Sequence, residues 1–278
     1  MVIRELIKEL SEKLGENGRF EAGCLLEQAG FSRITQLSEP NLNVPEDVLA
    51  WINALCERRM RGEPLQYLLG EWEFYGFEFK VGEGVLIPRQ DTETLVETAA
   101  GFLKKRSENE RRTADLCAGS GCIGISLARL TGCEVSSVEL SEKAFGFLEQ
   151  NIALNGVSEK VTPMRGDVLS EETAASLPQF DLIVSNPPYL TEADMNSLQT
   201  EVTYEPAMAL FGGSDGLDFY RGILRVWSKK LKQGGMLAVE IGMGQERDVM
   251  AVFRENGLSA DTQKDACGKN RVVFGIKE

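Results

Sequence analysis

The chain has 278 residues, 42% hydrophobic and 26% charged, enough apolar mass for a full core and without the composition of a disordered chain. Its 30 basic and 43 acidic residues leave a net charge of −13, so the overall excess of Lys and Arg on which sequence-independent nucleic-acid binding depends is missing. There is no histidine, which excludes Ser-His-Asp triads, Cys-His pairs and His-ligated metals, and the six cysteines form no CxxC, so no metal site is expected.

Taken in order, Ile3, Leu6, Ile7, Leu10 and Leu14 recur at helical spacing. This amphipathic, charged start is unlike a signal peptide, and no run of about 20 apolar residues follows it anywhere. A cytoplasmic protein is therefore expected. A second helix is predicted over residues 20–29 with Gly30 as its stop, and a third from Pro45 carrying Val48, Leu49, Ile52, Leu55 and Cys56. Arg58, Arg59 and Arg61 read as a solvated helix end. The alternating aromatics of WEFYGFEFKV (72–81) predict a hairpin turning near Gly76. Pro88 should end an extended piece, and Asp91 or Thr92 should cap a helix carrying Leu95, Val96, Ala99 and Phe102.

After a polar run at 104–112, short apolar strands alternate with helical patterns, the mark of a parallel α/β sheet. Strands are predicted at 113–117, 133–139, 160–166, 180–185 and 235–242, with two more at 258–264 and 271–276. Helices should fill 121–130, 141–155, 215–231 and 244–256.

The turn after the first of these strands, DLCAGSGCIG, satisfies G-x-G-x-x-G through Gly119, Gly121 and Gly124, and Glu139 ends the next strand about 20 residues on, placed to bind ribose hydroxyls. That much also fits a nicotinamide or flavin cofactor, or a tight turn that binds nothing. Asp115 before the glycines suits a cationic ligand, and Asp167 after the third strand could accept from an adenine amino group or cap the next helix. Together these acids favour S-adenosylmethionine, which is positively charged and needs no pyrophosphate cradle.

The fourth strand runs into SNPPYL (185–190). An amide or aromatic NH2 is a poor nucleophile because its lone pair is delocalised. Asn186 can accept one of its protons and the Pro187 carbonyl the other, which aims the nitrogen at a methyl donor. Pro187 and Pro188 stiffen the corner, and Tyr189 is expected to stack on the planar acceptor.

D-x-x-x-G-x-G, an acid after each of the next two strands and NPPY after the fourth resemble the class I S-adenosylmethionine-dependent methyltransferases of amino nitrogens. GEPLQYLLGEWEFYGFEFKV, VLIPRQDTETLVE, TYEPAMALFGGSDGLDFYR and LAVEIGMGQ narrow the resemblance to the HemK/PrmC family of peptide chain release factor glutamine methyltransferases. The resemblance implies a Rossmann-like seven-stranded class I methyltransferase sheet with a small N-terminal helical domain and a connecting β-hairpin. The domains would be a helical substrate-recognition domain (1–70), a hairpin linker (71–90) and a methyltransferase domain (91–278). It implies transfer of a methyl group to the side-chain amide nitrogen (N5) of the glutamine in the GGQ motif of bacterial class 1 release factors, by a monomer without nucleic-acid or membrane partners. Adenine or cytosine in nucleic acid is the alternative acceptor. Cys117, Ala118, Gly119, Ser120, Gly121, Glu139, Asp167 and Val168, with Asp115 and Asn186, would hold the cofactor; Asn186, Pro187, Pro188 and Tyr189 would hold the glutamine. The family's usual GTGSG reads CAGSG here, so Cys117 and Ala118 must take the backbone shape of Gly and Thr. Gln90 stands where proline is more usual.

Overall fold

The computed structural model describes all 278 residues, and the chain divides into two compact units. The first comprises Met1–Glu71 together with Gln199–Tyr204, the second Trp72–Leu198 with Glu205–Glu278.

In the first unit, α1 (Ile3–Leu14), α2 (Gly18–Gln28) and α4 (Glu46–Met60) enclose Ile3, Leu6, Leu10, Leu25, Leu26 and Ile52, each without exposed surface. Gly30, at φ 89°, takes the left-handed conformation that ends α2, as the sequence predicts. Two short helices, α3 (Arg33–Ser38) and α5 (Leu65–Leu69), carry too few turns to show periodicity and were not predicted. Arg59 is not on a solvated helix end: it pairs with Glu21 at 2.8 Å and also with Glu201, in the segment that returns to this unit.

The second unit opens one residue into the predicted hairpin, formed by β1 (Glu71–Phe74) and β2 (Phe77–Lys80). Tyr75 and Gly76 both have positive φ (54° and 76°), as a two-residue turn with right-handed strand twist requires. Phe74 and Phe79 are buried in the same core as α6 (Glu93–Leu103). Then come β3 (Arg112–Leu116), α7 (Cys122–Thr131), β4 (Glu134–Glu139), α8 (Glu142–Leu154), β5 (Val161–Arg165), α9 (Glu171–Ala175), β6 (Phe180–Ser185), α10 (Glu192–Met195), α11 (Asp218–Trp227), β7 (Leu231–Glu240), α12 (Glu246–Glu255), β8 (Asp261–Lys264) and β9 (Asn270–Ile276). The one- or two-turn helices α9 and α10 were not predicted. β7 begins four residues before its expected start, because Leu231 pairs with Phe180 across a register shift that the polar KQGG segment conceals.

The seven strands lie in the order β5-β4-β3-β6-β7-β9-β8; the first five are parallel, and β9 alone runs antiparallel, between β7 and β8. Side-chain alternation sorts the core into two layers. Leu182, Val184, Met236 and Ala238 face α6, α7 and α8, whereas Ile183, Leu237 and Val239 face α9, α11 and α12. The chain winds outward from β3 to β5, then returns to β6 on the other side of β3. The β3/β6 pair is thus the topological switch point, where open α/β sheets bind ligands at their carboxyl ends. No helix is long and apolar enough to cross a membrane.

Candidate active site

Leu116 and Ser185 are register partners at the ends of β3 and β6, and the Ser185 hydroxyl donates to the Leu116 carbonyl at 2.8 Å. The residues that follow, Cys117 and Asn186, therefore leave the sheet side by side. Both line one cleft, together with Ala118, Gly119, Ser120, Glu139, Asp167, Val168 and Pro188.

The wall after β3 is built by backbone. Cys117, Gly119 and Gly121 all have positive φ (56°, 56° and 81°), so Cys117 does adopt a glycine-like conformation. Glu139 braces this turn: one oxygen accepts the Gly119 N–H at 2.8 Å and the other the Ser141 N–H at 2.7 Å. Each oxygen keeps a lone pair for a hydroxyl. Gly121 caps α7 and does not line the cleft; a Cβ there would lie 2.4 Å from Leu148 Cδ1, so the glycine serves close packing.

Asp115 also lies away from the cleft. It is fully buried in β3, where Oδ2 accepts the Gly124 N–H at 3.0 Å and Oδ1 has no partner. Burial, reinforced by the Glu139 charge, pushes its carboxyl up to about 8. It is a poor counter-charge for a cationic ligand and acts as a brace beneath the loop. Asp167 is exposed at the rim, and its Oδ1 accepts the Leu169 N–H at 2.8 Å; the cap of α9 is Ser170 instead.

The wall after β6 is built by side chains drawn from several elements. Asn186 donates from Nδ2 to the Thr92 hydroxyl at 3.3 Å. Thr92 precedes α6 but makes no side-chain cap bond, and Asp91 pairs with Arg271 at 3.0 Å, so neither caps that helix as expected. Pro187 is buried and Pro188 contributes to the lining. Tyr189 does not line the cleft: its hydroxyl lies 3.5 Å from Glu240 Oε1 at the end of β7, and its carbonyl accepts Gln245 Nε2 at 3.1 Å. Burial raises the Tyr189 phenol above its ordinary value, as does the Glu240 charge.

A third group of lining residues was missed. Leu86, Ile87, Pro88 and Arg89 come from the segment after the hairpin, and Pro206, Met208 and Ala209 from a loop after the NPPY corner. Glu205 joins them, accepting the Ile87 N–H at 3.1 Å and pairing with Arg89. The loop also pairs with the corner: Leu190 N–H donates to the Leu210 carbonyl and Gly212 N–H to the Leu190 carbonyl, each at 2.8 Å. A Cβ on Gly212 would meet the Pro188 carbonyl at 2.7 Å. The signals available were the LIPR and YEPAMALFGG strings, quoted above for resemblance without a role.

A strand order of this kind with a cleft at its switch point defines the class I methyltransferase fold. A methyltransferase from Pyrococcus furiosus overlays with TM-score 0.53 at 18% identity, covering 73% of this chain and 90% of that one. The hMettl16 catalytic domain overlays with TM-score 0.57 at 13% identity, covering 85% and 84%. Residues 92–213 match the methyltransferase small domain family and residues 2–70 the PrmC N-terminal domain family. Similar in sequence are the release factor glutamine methyltransferases of Geobacter sulfurreducens (41% identical, 96% of this chain and 92% of that one) and Moorella thermoacetica (37%, 100% and 99%). The chain belongs to the release factor glutamine methyltransferase family.

Proposed function

We propose that the chain transfers a methyl group from S-adenosylmethionine to the side-chain amide nitrogen of the glutamine in the GGQ motif of bacterial class 1 release factors. The observation that carries this reading is that Asn186 and the loop held by Glu139 line one cleft. The cleft fits the donor: Glu139 offers two hydroxyl-accepting oxygens, Gly119 leaves space where a Cβ would stand, and the exposed Asp167 lies at the rim for the adenine amino group. When bound, the donor supplies a methyl group on a sulfonium.

Asn186 Oδ1 and the Pro187 carbonyl, to which no backbone N–H of the chain donates, accept the two N–H groups of the glutamine amide. Held in this way, the nitrogen turns its out-of-plane electron pair toward the methyl carbon. The bound donor would supply its methyl to that pair and keep the C–S electrons, and the nitrogen would release one proton to water. Both acceptors favour the positive charge that grows on nitrogen, so rate comes from positioning and electrostatics rather than from a strong base. The same corner suits adenine or cytosine amino groups; family membership favours the glutamine. Mass spectrometry of a GGQ-containing release factor after incubation with enzyme and donor tests the assignment. A shift of one methyl group on the GGQ peptide is expected, and methylation of DNA or ribosomal RNA in its place would overturn it.

Recognition of the protein substrate falls to the helical unit. In this acidic chain, Arg4, Lys8, Arg19 and Arg33 surround one cleft of that unit, with the exposed Leu37 in its lining. Charge reversal at Arg4 and Lys8 should raise KM for intact release factor and leave KM for a GGQ peptide unchanged.

A further inference from the structure

The LAVEIGMGQ string, quoted above for resemblance without a role, ends at Gln245, the N-cap of α12. Glutamine is not among the residues that cap helices well, and this one makes no side-chain cap bond. A local preference set aside in this way points to a demand from elsewhere in the fold. The side chain turns from its own helix to the loops around it. Its Oε1 accepts the Gly242 N–H, just after β7, at 2.9 Å. Its Nε2 donates to the Tyr189 carbonyl, after β6, at 3.1 Å and to the Gly216 carbonyl, before α11, at 3.4 Å. A backbone N–H can only donate and a carbonyl can only accept, so the amide has one orientation and both its N–H groups are committed.

Space is kept for this amide. A Cβ on Gly216 would stand 2.4 Å from the Tyr189 carbonyl oxygen and 2.6 Å from Gln245 Nε2. One on Gly242 would stand 2.9 Å from Gln245 Oε1 and 3.1 Å from the Tyr189 ring. A side chain at either position would displace the glutamine or the corner.

What the amide grips is the far end of the NPPY corner. Pro187 and Pro188 have no N–H by which a neighbour could hold them, and their fixed φ makes the corner a stiff lever. Rotation of the peptide after Tyr189 is therefore passed back to the Pro187 carbonyl and Asn186 rather than absorbed. Leu190 ties the corner to the loop at Leu210 and Gly212. Gln245 supplies a second tie, from the β7 side.

We infer that Gln245 is a positioning residue for methyl transfer, its carboxamide clamping the Tyr189 carbonyl so that Asn186 and the Pro187 carbonyl keep the spacing an NH2 group needs. The inference rests on the proposed role of that corner in holding the acceptor. Gln245 itself does not line the cleft, so its effect falls on turnover and not on donor binding.

The test pairs kinetics with amide hydrogen exchange. Gln245→Met keeps the length of the side chain and loses both donors. Gln245→Glu keeps an acceptor for Gly242 but sets a carboxylate oxygen against two carbonyls. Each should lower kcat at saturating donor and release factor by about 10-fold or more, well below the melting temperature, with donor Kd within about twofold. Exchange of the Leu190 N–H should quicken by about 10-fold or more in Gln245→Met as the corner loosens. Val252→Ala, a truncation at a buried position farther along α12, controls for general loss of stability. It should lower the melting temperature and leave kcat and Leu190 exchange unchanged. Unaltered kcat or unaltered Leu190 exchange in Gln245→Met would overturn the clamp, as would equal losses in Val252→Ala. Absence of methyl transfer to release factor by the wild type would instead sink the functional assignment, and Leu190 exchange would still decide the clamp.

Discussion

The two walls of the cleft achieve order by different means. After β3, positive-φ residues at 117, 119 and 121 shape the turn, and a single carboxylate, Glu139, holds it by two N–H groups. After β6, the shape comes from prolines, but the chemistry depends on how one side chain is turned, and its partner comes from residue 92 on another element. A backbone-built wall tolerates side-chain changes that leave φ accessible. A side-chain-built wall fails when one hydrogen atom points the wrong way.

The largest effect that could break this contrast is at Asn186. Asn186→Ala should reduce turnover by about 100-fold or more while donor Kd, set by the other wall, moves less than about twofold. Radiolabelled methyl transfer and calorimetry read the two separately, and parallel losses would mean that the walls are not distinct.

Next comes Asp115, the brace under the loop. Its folded carboxyl is raised from 3.8 to about 8. Its neutral form is therefore the one that folding favours: the stability this contributes is full below about pH 4 and is lost as pH rises toward 8. Asp115→Asn keeps an acceptor for Gly124 and cannot ionise. Its melting temperature should gain on the wild type progressively across that window, by the equivalent of a few kcal/mol at the upper end. A constant difference would show that Asp115 is ionised throughout.

A smaller change is expected at Glu139. Glu139→Ala removes both the hydroxyl acceptor and the brace, so donor Kd should rise about 10-fold with kcat at saturation reduced far less, the cost of one or two charge-assisted hydrogen bonds. The smallest is Cys117→Gly. Relief of the left-handed strain, about 1 to 2 kcal/mol, is opposed by the flexibility that glycine adds to the unfolded chain, about 0.5 to 1 kcal/mol. Denaturant midpoints should move little and donor Kd not at all. A large loss of affinity would give the thiol a contact role that a backbone-built wall denies it.

Most strands and long helices were readable because periodicity reports burial. The switch-point position of Cys117 and Asn186 was readable because strand alternation fixes which ends face the ligand. The roles of individual site residues were less so. Asp115 looked like a ligand carboxylate because its spacing is right, yet its side chain points into the sheet, where spacing alone gives no burial. Tyr189 looked like a stacking platform, but its hydroxyl finds a buried acid 51 residues away. Thr92 looked like a cap because caps are local, whereas its hydroxyl answers to Asn186, 94 residues on. Local chemistry can be read from neighbours in the chain; partners supplied by another element cannot.

Asn151 on α8 ties the hairpin to the loop beside the cleft. Its oxygen accepts the Lys80 N–H at 2.6 Å, and its nitrogen donates to the Lys80 and Ser120 carbonyls at 3.0 and 2.9 Å. Conversion of this one amide to an acid by spontaneous deamidation would exchange NH2 for oxygen at constant size. Two attractions would become repulsions, loosening the hairpin and the loop in the same event. Ageing of the enzyme at this single atom would therefore register at the active site through Ser120, although Asn151 itself does not line it.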